Sequence, residues 1–207
     1  MTDLCRRHRL PPKRYNMLTN DFKSARFWAW ELVERSVQAG DICVDATLGN
    51  GHDACRLCEL VGETGLVYGF DIQPEAVGAS AKRLDEKGFA PRVRLYNIGH
   101  ERMGDFVQEN SATAILFNLG WLPGGDHSFT TRVETTLKAV ETALTRLKPG
   151  GVLTVCIYPG HEEGSRERDA LLERAKTWDS GVYDVMLRCY MNQPNDPPLL
   201  LAVRRKK

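Results

Sequence analysis

Three short segments of this 207-residue chain carry residue types and spacings suited to chemistry. The first is Val44-Asp45-Ala46-Thr47-Leu48-Gly49-Asn50-Gly51-His52-Asp53. Its glycines let the backbone turn tightly and approach a ligand that side chains would exclude. Gly49-Asn50-Gly51 lacks the third glycine of a dinucleotide fingerprint, which weakens a nicotinamide reading. Asp45 adds a carboxylate that can accept from an ammonium group, directly or through water. Asp71 follows at the spacing, about 20 residues, at which an acid takes ribose hydroxyls by charge-assisted hydrogen bonds. With Pro74 behind it, Asp71 also suits a helix N-cap. Glycine loop and acid together point to a nucleoside ligand, and Asn97-Ile98-Gly99-His100 is placed to edge its base.

The second segment is Asn118-Leu119-Gly120-Trp121-Leu122-Pro123-Gly124-Gly125-Asp126, and the third is Tyr158-Pro159-Gly160-His161-Glu162-Glu163-Gly164. An Asn beside exposed carbonyls can accept hydrogen bonds from an amine and orient its lone pair. Trp121 can stack on an unpaired base or simply pack. His161, with an unperturbed pKa of about 6.5, can relay an amine proton. It can equally hold its own loop or contact phosphate. Cysteines 5, 43, 55, 58, 156 and 189 are scattered. Cys55-Arg56-Leu57-Cys58 has C-x-x-C spacing without a second pair or nearby His, so it reads as core packing, and no metal site is expected.

These segments need a frame. Residues 21–38 show helical apolar spacing and end at Gly40. DICVDA is a first strand, and the helix after the glycine loop ends near Gly62. LVYGFD is a second strand and PEAVGASAKRLDEKG a second crossover helix, with Pro74 in its first turn. VRLY and ATAILFN are the third and fourth strands, residues 130–147 an amphipathic helix, and GVLTVCIY the fifth strand. A helix near 163–177 precedes VYDVMLRCY and PLLLAVRR, which suit a closing antiparallel pair. Such alternation gives a parallel sheet with helices on both faces and a ligand crevice at the carboxyl ends of its strands. The expected architecture is an α/β, Rossmann-like, seven-stranded, mostly parallel sheet. It forms one domain over 1–207, with a basic N-terminal extension at 1–19 and a core at 20–207.

Hydrophobic content of 42 % and charged content of 27 % are those of soluble globular proteins. No run approaches about 18 apolar residues, and MTDLCRRHRLPPKR has no signal-peptide core, so a cytoplasmic protein without a membrane partner is expected. A net charge of +1 excludes a uniformly basic nucleic-acid binder. Arg6, Arg7, Arg9, Lys13 and Arg14 at one end, and Arg204, Arg205, Lys206 and Lys207 at the other, are either phosphate-binding clusters or solvated tails.

The glycine loop, spaced acid and alternating elements resemble class I S-adenosylmethionine (SAM)-dependent methyltransferases. In that class the end of the fourth strand, here Asn118, faces the sulfonium methyl and the acceptor atom. Carbon methylation of a pyrimidine usually needs a thiolate adduct. Cys156 lies inside an apolar strand and no other Cys suits the role, so the resemblance implies methylation of nitrogen. DATLGNGHDA, GFDIQPEAV, NLGWLPGGDHSFTT, LKPGGVLTVCIYPGHEEG and YMNQPNDPPLLLAVRRK resemble a narrower family, once described as rRNA methylases and similar to tRNA 5-aminomethyl-2-thiouridine methyltransferases. It implies SAM as cofactor, the tRNA anticodon stem-loop as partner, and conversion of a 5-aminomethyl to a methylaminomethyl group on the wobble uridine. Another RNA amine or a small-molecule amine is the alternative acceptor.

By this resemblance Asp45, Gly49, Asn50, Gly51, Asp53, Asp71, Gln73, His100 and Asn118 are cofactor-side residues. Asn118, Asp126 and His161 are the expected catalytic residues, and Gly120, Trp121, Thr131, Tyr158, His161 and Asn195 the substrate-side ones. The chain departs from the family pattern at Trp121, often Tyr, at Pro159, where a His is usual, and at Asn97–His100, where an acidic loop is usual. Its leading RRHRLPPKRYN is also unlike the family's start.

Overall fold

Strand and helix alternate along the chain in the computed structural model, which describes residues 23–121 and 130–206. The expected N-terminal extension and Asp126 lie outside the described residues. Helix α1 (Ala25–Ser36) leads, started by Ser24, whose hydroxyl accepts from the Phe27 amide. Then follow β1 (Ile42–Asp45), α2 (His52–Val61), β2 (Leu66–Asp71), α3 (Pro74–Glu86), β3 (Val93–Asn97), β4 (Ala112–Asn118), α4 (Val133–Arg146), β5 (Leu147–Ile157), α5 (Glu162–Ala175), β6 (Tyr183–Arg188) and β7 (Leu199–Arg205). The segment between β3 and β4 that lacks periodicity forms a 3-10 turn at His100–Asp105.

The seven strands are ordered β3-β2-β1-β4-β5-β7-β6. β1 to β5 are mutually parallel, and β7 runs antiparallel to both β5 and β6. This is the Rossmann-like frame with its closing antiparallel pair. β5 begins at Leu147, four residues before the expected Gly151, because Leu147 already pairs with Ala112 across a register shift.

Side chains alternate across the sheet. On one face Cys43, Val67, Ala114, Leu116 and Val152 pack beneath α1 and α2, and on the other Val44, Ile115, Phe117, Leu153 and Val155 pack beneath α4. A fully buried aliphatic or aromatic side chain of this kind contributes roughly 1.5–3 kcal/mol. The period of two also decides where the strands release their last residues. Ala114, Leu116 and then Asn118 fall on the α1/α2 face. Cys156 and Tyr158 share that face, since both pack with Ala25 and Ala29 of α1.

The charged C-terminus is used structurally. Arg204 pairs with Val152 in the ladder, Arg205 donates to the Leu147 carbonyl at 2.6 Å, and Lys206 meets Asp184 at 3.0 Å. These residues sit at the amino end of β5, away from the crevice.

Candidate active site

A cavity of about 730 Å³ opens where β1, β2 and β4 release their chains. Its floor is the glycine loop, which three contacts shape from behind. The Asp71 Oδ2 accepts the Gly49 amide at 2.8 Å, Ser80 Oγ donates to the Gly49 carbonyl at 2.8 Å, and Arg83 Nε donates to the Asn50 carbonyl at 2.7 Å. Gly51 has φ +74°, and a Cβ there would meet Ser80 Oγ at 2.7 Å, so both conformation and space demand glycine.

Asp71 also accepts the Gln73 amide on Oδ1 at 2.9 Å. It therefore fastens the loop to the start of α3 and keeps a lone pair on each oxygen for a hydroxyl ligand. Gln73 and the 58 % exposed Ile72 line the cavity beside it. Ile72, an apolar side chain presented to a cleft, escaped the sequence reading because its neighbours are polar. Across the cavity, His100 Nδ1 donates to the Ala46 carbonyl at 3.2 Å, and burial lowers its pKa, so the ring is neutral with its proton on Nδ1. Asn97, expected at the base edge, instead donates its amide to the Asp71 carbonyl at 3.0 Å.

Asp45 differs from its expected place at the ligand. It is fully buried and forms no part of the cavity wall. The Thr47 amide donates to its Oδ1 at 3.3 Å, while Oδ2 has no partner. Burial, with the negative charge of Asp53 added, pushes its carboxyl up to about 8, against the favourable backbone amides of Thr47 and Ala54. Asp45 supports the glycine loop from beneath.

Asp53 also differs. Its Oδ1 accepts from the Arg26 guanidinium and its Oδ2 from Asn118 Nδ2 at 2.9 Å, so protein donors hold both oxygens. The Asn118 amide itself donates to Thr47 Oγ1 at 2.8 Å. Arg26 lines the cavity, a role the sequence hides because the residue sits in an ordinary amphipathic helix far from any motif.

Beyond Asn118 the wall is Gly120 and Trp121 on one side and Thr130 and Thr131 on the other. Gly120 has φ +111° with open space around it, so its conformation alone calls for glycine. The Gly120 amide donates to Thr131 Oγ1 at 2.9 Å, and that hydroxyl donates to Glu167 Oε2 at 2.8 Å. Thr136 donates to Glu167 Oε1 at 2.5 Å. Thr131, expected to touch substrate, thus joins the loop to α5. Glu167 was not foreseen, since a Glu in an acidic helix looks solvated. Burial raises its pKa, although the two threonine hydroxyls favour the charged form.

The His161 ring lies 4.4 Å from that of Trp121 and lines the cavity. Its Nδ1 accepts the Gly164 amide at 3.1 Å, which caps α5. The Nδ1 lone pair is thereby in use within the loop. Of the three roles weighed for His161, this geometry suits loop holding. Tyr158 lines the same wall. Asn195 does not: it is exposed, at φ 63°, in the β6–β7 connection. Among the described residues no His/Cys/Asp/Glu cluster could hold a metal ion. Burial pushes the thiols of Cys43, Cys58 and Cys156 up to about 12, which leaves them inert as nucleophiles.

Residues 67–204 match the family described as "Putative rRNA methylase". The chain belongs to this family. A Clostridium thermocellum protein carrying the same description superposes with a TM-score of 0.87 at 39 % identity, over 90 % of this chain and 100 % of its own. A Streptococcus mutans protein solved in complex with SAH has a TM-score of 0.80 at 32 % identity, over 88 % of this chain and 98 % of its own. The "tRNA (mnm(5)s(2)U34)-methyltransferase, chloroplastic" of Arabidopsis thaliana is 36 % identical over 190 residues, spanning 86 % of this chain and 67 % of that protein. As a member of the rRNA methylase family on a class I frame, the protein is a SAM-dependent methyltransferase. Its cavity fits that cofactor: Asp71 offers acceptors for ribose hydroxyls, Ile72 an apolar surface for a base, and Gly49 in the lining a backbone without a Cβ.

Proposed function

We propose that the protein methylates the amine of a 5-aminomethyl group on the wobble uridine of tRNA, giving the methylaminomethyl nucleoside. The observation that carries this reading is the state of Asn118. Its Nδ2 is tied to Asp53, so the carboxamide oxygen is the end left for an acceptor amine. A side chain that offers an acceptor, in a cavity lined by no Cys among the described residues, suits nitrogen better than ring carbon. The name of the Arabidopsis relative supports tRNA and this modification.

Bound SAM supplies a methyl group activated by its sulfonium. The protein's part is positioning. Asn118 accepts an N–H of the neutral amine and turns the nitrogen lone pair along the transfer line. The methylated nitrogen would be a secondary ammonium, and with His161 Nδ1 engaged by its own loop its proton would pass to solvent. Trp121 forms the wall against which the nucleobase stacks. Residues 20–207 act as one catalytic domain, and the anticodon stem-loop is the part of the tRNA that enters. No helix among the described residues is long and apolar enough to cross a membrane, and a cytoplasmic site of action fits a tRNA substrate.

The test is transfer from methyl-labelled SAM to tRNA carrying the aminomethyl nucleoside. Label is expected in methylaminomethyluridine and is expected to vanish when the amine is acetylated beforehand. Label confined to rRNA, or to free amines, would overturn the reading.

A further inference from the structure

We propose that Asp53, held by Arg26, is the positioning residue that decides which end of the Asn118 carboxamide faces the acceptor amine. This rests on the reading that Asn118 orients an amine. A carboxamide has two ends of nearly the same shape and opposite hydrogen-bonding character. With its oxygen outward, Asn118 accepts the amine N–H and leaves the amine lone pair for the methyl group. With its NH2 outward, it would occupy that lone pair and block the reaction.

The fold removes the second state. Period-two alternation along β4 brings Ala114, Leu116 and Asn118 to the α1/α2 face, where the first turn of α2 places Asp53. Asp53 Oδ2 only accepts, and at 2.9 Å it demands Nδ2 from Asn118. Rotating the carboxamide would set two acceptor oxygens against each other at a residue only 7 % exposed. The other oxygen of Asp53 is pinned by the Arg26 guanidinium from α1, so the carboxylate cannot swing aside.

Reciprocal exchange tests this directly. Asp53→Ala is expected to lower kcat by about tenfold or more while the SAM Kd stays within about twofold. Asn118→Asp alone sets two carboxylates together and is expected to lower kcat by about 100-fold. Adding Asp53→Asn to it restores a donor–acceptor pair of reversed polarity, with an acceptor oxygen still toward the amine. The double variant is expected to recover at least about tenfold over Asn118→Asp, at unchanged SAM Kd. A double variant no faster than Asn118→Asp would overturn the proposal, as would an Asp53→Ala enzyme with weakened SAM binding and intact kcat. Asn118→Ala separates the two layers. Full turnover there overturns the role of Asn118 itself, whereas impaired turnover without rescue by exchange overturns only the positioning by Asp53.

Discussion

His161 and Asp45 show how a side chain's partners, rather than its type, set its role. The Nδ1 of His161 accepts the Gly164 amide, which gives this ring a loop-holding role. His161→Asn, which keeps a capping acceptor, is expected to show the wild-type inflection in its pH–rate profile, at somewhat reduced rate. Loss of that inflection would make His161 the proton acceptor after all. Asp45 makes a prediction about stability. Its carboxyl is raised to about 8 in the fold, above the ordinary value of about 3.9 in an unfolded chain. The fold therefore holds the proton more tightly. The stabilisation is fully present below about pH 4, declines as pH rises, and is gone above about 8. Thermal scans between pH 5 and 9 are expected to show a falling Tm that levels near pH 8, and Asp45→Asn is expected to flatten that fall. Equal slopes in the two proteins would contradict a protonated Asp45.

Among the elements, the strands carrying the site were legible in the sequence because their apolar runs are short, β-branched and bounded by glycine or acid: LVYGFD and ATAILFN occupy the spans they suggest. The glycine loop and Asp71 were legible for the same reason, being local. What escaped was pairing between distant elements. Arg26 reaches Asp53 across 27 positions and Glu167 reaches Thr131 across 36, and neither separation leaves a periodic trace. The same holds for Asp53, which strand alternation along β4 brings to Asn118. Glu167 also supplies the prediction for this scale. As the acceptor for both the Thr131 and Thr136 hydroxyls, it ties α5 and α4 to the cavity wall. Glu167→Ala leaves those hydroxyls without it, at a cost of about 1–3 kcal/mol, and a domain of this size loses about 2–4 °C of Tm per kcal/mol. Differential scanning calorimetry is expected to show that loss, with Glu167→Gln close to wild type. An unshifted Glu167→Ala would mean the wall holds without α5.

For the molecule as a whole, the charge pattern bears on how RNA could approach. Arg204, Arg205 and Lys206 of the C-terminal basic cluster are engaged with Ser36, Leu147 and Asp184, at the end of the sheet away from the cavity. Lys23, Arg132 and Arg188 instead form no ion pair among the described residues, and Arg132 lines the cavity. Arg188 lies over the Trp28 ring at 3.4 Å, in a second, smaller hollow that Lys23 also lines. The near-neutral total is thus compatible with an RNA substrate that meets local cations instead of a uniform field. The central claim, an aminomethyl group on wobble uridine as acceptor, is tested most directly by nucleoside mass spectrometry of total tRNA from a strain lacking this gene. The account predicts that 5-aminomethyl-2-thiouridine accumulates, that its methylated product disappears, and that the intact gene restores it while the Asn118→Ala form does not. An unchanged wobble-uridine profile would contradict the account and leave the methyl group bound for another acceptor.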